Sequence, residues 1–206
     1  MVSRIYDPTE GSLRYEGNNL LATPPHKISH LGIYRTFQNL ALWPGMSVLE
    51  NVMAGAHTRA KQNFFSSMVR VGLKKEEREL AAEAFAILSD LGLGDVAMQQ
   101  CAGLPYGTMK RIELARALMG HPRLLMLDEP ATGLTQSEVA VLSDVITGIR
   151  DRYDLTILLV EHHMGMVMGI SDHVVVLDFG SKIAEGSPKE VQENPAVIEA
   201  YLGAPA

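Results

Sequence analysis

Leu124-Leu125-Met126-Leu127-Asp128-Glu129-Pro130 sets two adjacent carboxylates directly after a continuous apolar run. A run of that length reads as a strand covered on both faces, and in open α/β sheets ligands bind beyond the carboxyl ends of the strands. Asp128 at such an end could hold Mg²⁺, and Glu129 could orient or deprotonate an attacking water. A solvated acidic turn is the plainer reading of Asp-Glu alone. Gly107 lies 21 residues before Asp128, inside Leu104-Pro105-Tyr106-Gly107-Thr108, where a Pro/Gly turn runs into a helix-forming stretch ending at Leu118. Free N–H groups at such a helix start attract anions, and a glycine lets a phosphate approach the backbone closely. His162 follows Asp128 by 34 residues, at the end of a second apolar strand pattern, where it could donate to a phosphate oxygen or an attacking water. Gln38, just after the strand-like Ile33 to Thr36, could accept from a metal-bound water or reach the metal itself. Taken singly, the plainer readings are a common loop and helix, a surface histidine and a polar loop residue.

The elements that must position these residues differ between the two halves of the chain. Ser12 to Gly17 alternates like a short strand ending at a turn over Gly17-Asn18-Asn19, Pro24-Pro25 opens a short helix to about Leu31, and Gly32 to Phe37 reads as a strand. Ser47-Val48-Leu49-Glu50 has the form of a capping box leading into a helix. Leu80, Ala84, Ile87, Leu88 and Leu91 recur at three- and four-residue spacing, which predicts an amphipathic helix from Lys74 to Leu91. Residues 44–119 are therefore expected to form a helical subdomain. Beyond them strands and helices alternate: strands at Leu124–Leu127, Thr156–Val160 and His173–Leu177, helices at Ser137–Arg150 and His163–Ile170, and short helices from Ser187 to the end. Such alternation implies a parallel sheet with right-handed crossovers, hence an α/β fold.

Composition narrows the function. The 206 residues, 47% hydrophobic and 20% charged, suit one domain with a real core, read as a single domain over 1–206 with a helical tail over 187–206. A net charge of -6 without a basic run argues against nucleic acid as a partner. Cys101 is the single cysteine, so neither a disulfide nor a Cys-based metal site forms within the chain, which suits a reducing cytosol. No apolar run reaches the roughly 20 residues of a membrane helix, and the first residues lack the apolar stretch of a secretory signal.

In order and spacing together, these features resemble the nucleotide-binding subunit of an ATP-binding cassette (ABC) transporter. Gln38 matches the Q-loop, Leu104 to Thr108 the signature loop, Leu124 to Asp128 the Walker B strand, Glu129 the catalytic glutamate, Ala131 to Thr135 with Gly133 the D-loop, and His162 the switch histidine. Arg35-Thr36-Phe37-Gln38-Asn39, the Leu-Pro-Tyr-Gly signature, Val160-Glu161-His162 and the ending from Ile183 to Gly203 are similar to the branched-chain amino acid importer type. The resemblance implies a P-loop NTPase fold and an ATPase that drives uptake of amino acids. Two nucleotide-binding subunits, identical or related, would sandwich ATP and Mg²⁺, with Mg²⁺ on Asp128 and Gln38. The γ-phosphate would be met by His162 and by the opposing loop of Leu104, Pro105, Tyr106, Gly107 and Thr108. The dimer would sit on the inner face of the membrane against transmembrane permease subunits, served indirectly by a substrate-binding protein.

Departures from that pattern carry their own expectations. Pro105 and Tyr106 stand where the commonest signature has Ser and Gly, and Thr108 where it has Gln, so backbone donors around Gly107 carry more of the phosphate contact. His163 occupies a place where this subgroup often has Asp. None of the 18 glycines is followed by lysine, so the Gly-Lys-Ser/Thr of a phosphate loop is not in this sequence. The expectation is an N-terminally incomplete cassette, inactive alone. It would be marginally stable and prone to aggregate, with an open sheet edge beside Leu124–Leu127. The alternative is a truncated, non-catalytic cassette subunit that keeps its docking and signature faces as a binding module.

Overall fold

The computed structural model describes residues 1–36, 40–59 and 73–202. Near the start, β1 (Arg14–Tyr15) and β2 (Asn18–Asn19) form a small antiparallel hairpin. Its turn is Glu16-Gly17, both at positive φ, so Asn18 and Asn19 belong to the returning strand and not to the turn. Short 3-10 turns at Pro25–Lys27 and Ser29–Leu31 replace the single helix expected there. They lead into β3 (Ile33–Arg35), shorter than the strand pattern suggests. The part of that pattern at residue 37 lies outside the described residues.

Among the described residues three α-helices follow. In α1 (Val48–Met53), Ser47 Oγ accepts from the Glu50 N–H and Glu50 accepts from the Ser47 N–H, the reciprocal cap read from Ser-x-x-Glu. Then come α2 (Leu73–Asp90) and α3 (Tyr106–Leu118). Val48 and Val52 of α1, Ala84, Ile87 and Leu88 of α2, and Ile112, Leu114 and Leu118 of α3 share one buried core. Cys101 is part of it; burial raises its thiol pKa, and Asn51 Nδ2 lies 3.3 Å from its sulfur, which makes it a packing residue.

The second half supplies the sheet: β4 (Leu124–Asp128), α4 (Gln136–Tyr153), β5 (Thr156–Val160) and α5 (Met164–Ile170). Strand β4 lies between β3 and β5 and is parallel to both, with Tyr34 opposite Leu125 and Asp128 opposite Val160. Its continuous apolar character has a direct cause. Leu125 and Leu127 enter the helical core, while Met126 enters a second cluster with Leu20, Ile28 and Ile33 on the other face.

The remaining elements are β6 (Val174–Asp178), β7 (Ser181–Gly186), α6 (Pro188–Gln192) and α7 (Pro195–Leu202). Here the structure corrects the sequence reading. Among the described residues β6 does not join the parallel sheet; it pairs antiparallel with β7, a strand not foreseen. The hairpin has its own small core of Val174, Val176, Ala184, Val191 and Val197. Among the described residues β3 and β5 are therefore the two edges of the parallel sheet, β5 being the one that faces β6, and Leu124–Met126 is paired on both sides. Between β5 and β6 runs a cleft of about 680 Å³ lined by both strands, with Leu158, Val160, Val175 and Leu177 about half exposed.

Candidate functional site

The parallel pairing of β4 and β5 brings Asp128 and Val160 to the same end of the sheet, so the loops that carry Glu129 and His162 start side by side. The Glu129 N–H donates to the Val160 carbonyl at 2.8 Å, and Glu129 has φ +44. A left-handed conformation at a residue with a Cβ costs about 1–2 kcal/mol. It turns the chain sharply off β4 and leaves the Glu129 side chain over the strand ends. Thr132 Oγ1 donates to Glu129 Oε2 at 3.2 Å, and His162 Nδ1 stands 3.9 Å from the same oxygen. The imidazole is largely exposed, so a ligand can reach both groups.

Asp128 is held differently. Arg35 Nη2, from the neighbouring strand β3, donates to Asp128 Oδ2 at 2.6 Å, and Arg35 Nη1 donates to Ser3 Oγ at 3.1 Å. Both side chains of the ion pair are about one-third exposed. Among the described residues no group of three or more His, Cys, Asp and Glu side chains is arranged to hold a metal ion. Mg²⁺ in phosphate sites takes one or two protein carboxylates and completes its shell with phosphate oxygens and waters. A single accessible carboxylate at a strand end fits that demand, and Asp128 is the residue that would supply it.

The 104–108 loop meets this site through residues 131–138. Pro105 is the N-cap of α3 and offers no side-chain cap, leaving the first N–H groups of the helix free of intrahelical partners. The Tyr106 ring packs on Gly133, with Lys110 Nζ 5.5 Å from the ring centroid. Glu138 Oε1 lies 3.0 Å from where a Cβ on Gly107 would stand, so a carboxylate already complements the positive end of α3. Arg111 and Thr108 line the same shallow cleft of about 230 Å³. Glu138 also closes a capping box with Thr135, whose backbone and hydroxyl donors hold its pKa below the ordinary value.

The structure thus brings Asp128, Glu129 and His162 together, and joins Leu104 to Thr108 to the loop around Gly133. Gln38 lies outside the described residues. Sequence reasoning gave no role to Arg35, Thr132, Glu138 or Glu161, although Arg35 and Glu161 stand inside quoted motifs. A charged residue at the end of an otherwise apolar strand was the available signal for both. His163 gains an explanation: it is the N-cap of α5, and its Nδ1 accepts from the Met166 N–H at 3.2 Å, as an aspartate oxygen would.

A parallel sheet with paired carboxylates at the end of its central strand, facing a histidine from the next strand and a glycine loop at a helix start, defines an α/β nucleotide-binding domain of the P-loop NTPase class. The chain belongs to the ABC transporter family, whose model matches residues 1–132; a second model, described as branched-chain amino acid ATP-binding cassette transporter, matches residues 181–206. It is 40% identical over 200 residues to the high-affinity branched-chain amino acid transport ATP-binding protein BraF of Pseudomonas aeruginosa, covering 97% of this chain and 78% of that protein. Identity to LivG of Escherichia coli, which carries the same description, is 38% over 200 residues with the same coverage. The ADP conformation of MJ1267, an ATP-binding cassette of an ABC transporter, superposes with a TM-score of 0.78 at 30% identity, over 95% of this chain and 78% of that one. A nucleotide-free ATP-binding cassette from an ABC transporter also gives 0.78, at 28% identity, over 98% of this chain and 81% of that one.

Proposed function

We propose that this chain is the ATP-binding subunit of an importer that couples ATP hydrolysis to uptake of branched-chain amino acids. The observation that carries the reading is the approach of Glu129 and His162 to 3.9 Å at the strand end that also bears Asp128. The naming of relatives such as BraF and LivG as branched-chain amino acid transport proteins supports the substrate class.

In this reading Glu129 holds the attacking water and accepts its proton, and His162 donates to the γ-phosphate oxygen that gains charge. Asp128, held now by Arg35, would be the carboxylate that holds Mg²⁺, and the ion when bound would supply neutralisation of phosphate charge. The N–H groups around Gly107 serve the nucleotide of a second cassette subunit, so two copies or two related chains work as a pair. Gln38 would join Asp128 in holding Mg²⁺. Among the described residues no helix is long and apolar enough to cross a membrane. Attachment to the inner face of the membrane would come through permease subunits.

A second reading keeps one specific observation: no Gly-Lys pair occurs in the sequence. The chain by itself would then be a non-catalytic cassette that docks but does not turn over ATP. Uptake separates the two. In cells lacking the BraF-type subunit, the chain joined to a phosphate-loop segment should restore labelled leucine uptake, and Glu129→Gln should abolish it. Uptake that stays at background with the extended chain, while its ATP hydrolysis is normal, would overturn the assigned transport role.

A further inference from the structure

The Glu161 side chain has no solvent exposure although its backbone is partly open. A buried carboxylate is unfavourable by several kcal/mol unless hydrogen bonds replace its water. Here one oxygen serves each of two loops. Oε1 accepts from the Ala131 N–H at 2.8 Å, and Oε2 accepts from the N–H groups of His162 and His163 at 2.8 and 3.0 Å. Residue 131 is 30 positions away in the chain, in the loop that carries Glu129 and Thr132. Oε2 is also 3.7 Å from His162 Nδ1.

We propose that Glu161 is a positioning residue whose two carboxylate oxygens lock the Glu129–Thr132 loop to the His162 loop and so set the separation of Glu129 from His162. This rests on the roles given above to those two residues. The Glu129 N–H bond to Val160 and the looser 3.9 Å approach of the Glu129 and His162 side chains run between the same two segments. A glutamine cannot replace it. Its amide has one acceptor oxygen and an NH₂ group, so in either orientation donors face donors at one of the loops. An aspartate, shorter by one methylene, keeps the local bond to the residue two positions on, as in an Asx-turn, and loses the reach to Ala131.

The test is hydrogen exchange resolved to single amides on the full chain without nucleotide. In Glu161→Asp, exchange at Ala131 should rise roughly tenfold or more, as for loss of one charge-assisted hydrogen bond. His163 should stay protected, and amides of residues 139–149 in α4 should not change. In Glu161→Ala all three loop amides should open. A residue that serves only global stability would instead raise exchange throughout α4. Unchanged exchange at Ala131 in the Asp variant, equal loss across α4, or an Asp variant that does not fold would each overturn the proposal. No nucleotide is present, so an inactive chain does not fail this test; the uptake and hydrolysis measurements judge the functional reading separately.

Discussion

The ring of Tyr106 lies against Gly133: a Cβ built on Gly133 would stand 3.2 Å from Tyr106 Cε1, and the glycine is at φ +83. The loop that starts α3 and the loop that leaves Glu129 are therefore in direct contact. Tyrosine at position 106, where the commonest signature has glycine, is what fills the space. Gly133→Ala meets both the strained backbone and the ring, and should destabilise the chain by about 1–2 kcal/mol. Adding Tyr106→Ala should recover the contact part only, because the strain at φ +83 remains. Denaturant melts of the two single variants and the double variant measure that coupling.

Gly55 makes a harder demand. A Cβ there would lie 1.9 Å from the Arg116 carbonyl oxygen, in backbone that cannot swing aside. Gly55→Ala should cost about 2–3 kcal/mol by overpacking the junction of α3 with the 3-10 turn Ala54–Thr58 that follows α1. Gly148, inside α4 with nothing within 4 Å of its Cβ position, is the control. Gly148→Ala should stabilise by about 0.5–1 kcal/mol through helix propensity. Thermal melts that move both variants in the same direction would contradict this packing.

Acid should weaken three helix starts together. Glu50, Glu138 and Glu190 have pKa values held below their ordinary 4.5, by the Ser47 hydroxyl first for Glu50, by the Thr135 backbone first for Glu138 and by the Ser187 hydroxyl first for Glu190. A carboxyl with a lowered folded pKa adds stability that is complete above its unfolded value and lost as pH falls through the folded one. Melting temperature should therefore decline below about pH 4.5. In the variant with all three changed to Gln, that decline should be shallower. Parallel acid limbs for the two proteins would show that the caps contribute nothing.

The half-exposed Leu158, Val160, Val175 and Leu177 face a cleft between two strand edges, an arrangement that favours pairing with added strand. A phosphate-loop segment fused ahead of Met1 should fill that cleft. Each strand side chain it buries contributes about 1.5–3 kcal/mol. The extended chain should melt cooperatively at a clearly higher temperature and aggregate less, with no nucleotide present. Identical melts for the two forms would remove the cleft from the account.

Much of this arrangement was legible locally. Strands β4 and β5, the helices α2 to α4 and the Ser47 cap follow from periodicity and residue type within a window of a few residues. That Asp128, Glu129 and His162 share one end of the sheet was legible from where they stand relative to those strands. Pairing was not. Nothing within Val174–Asp178 distinguishes a parallel partner from the antiparallel β7, because the choice rests on where Ser181–Gly186 turns back and packs Ala184 against Val174 and Val176. The roles of Arg35 and Glu161 were hidden for the same reason. Their partners, Asp128 and Ala131, are 93 and 30 residues away, brought close only by the register of the sheet.

Steady-state ATP hydrolysis with Mg²⁺ tests the central claim, that Glu129 at the end of β4 activates water for a phosphate loop this sequence does not contain. The 206-residue chain alone should show no steady turnover. Fused to a Gly-x-x-x-x-Gly-Lys-Ser/Thr segment it should hydrolyse ATP. Glu129→Gln in that form should lower the rate by about a hundredfold or more while leaving an ATP-dependent dimer on size-exclusion chromatography. Turnover by the chain alone within a few fold of the extended form, or an extended Glu129→Gln variant as fast as its parent, would contradict the account.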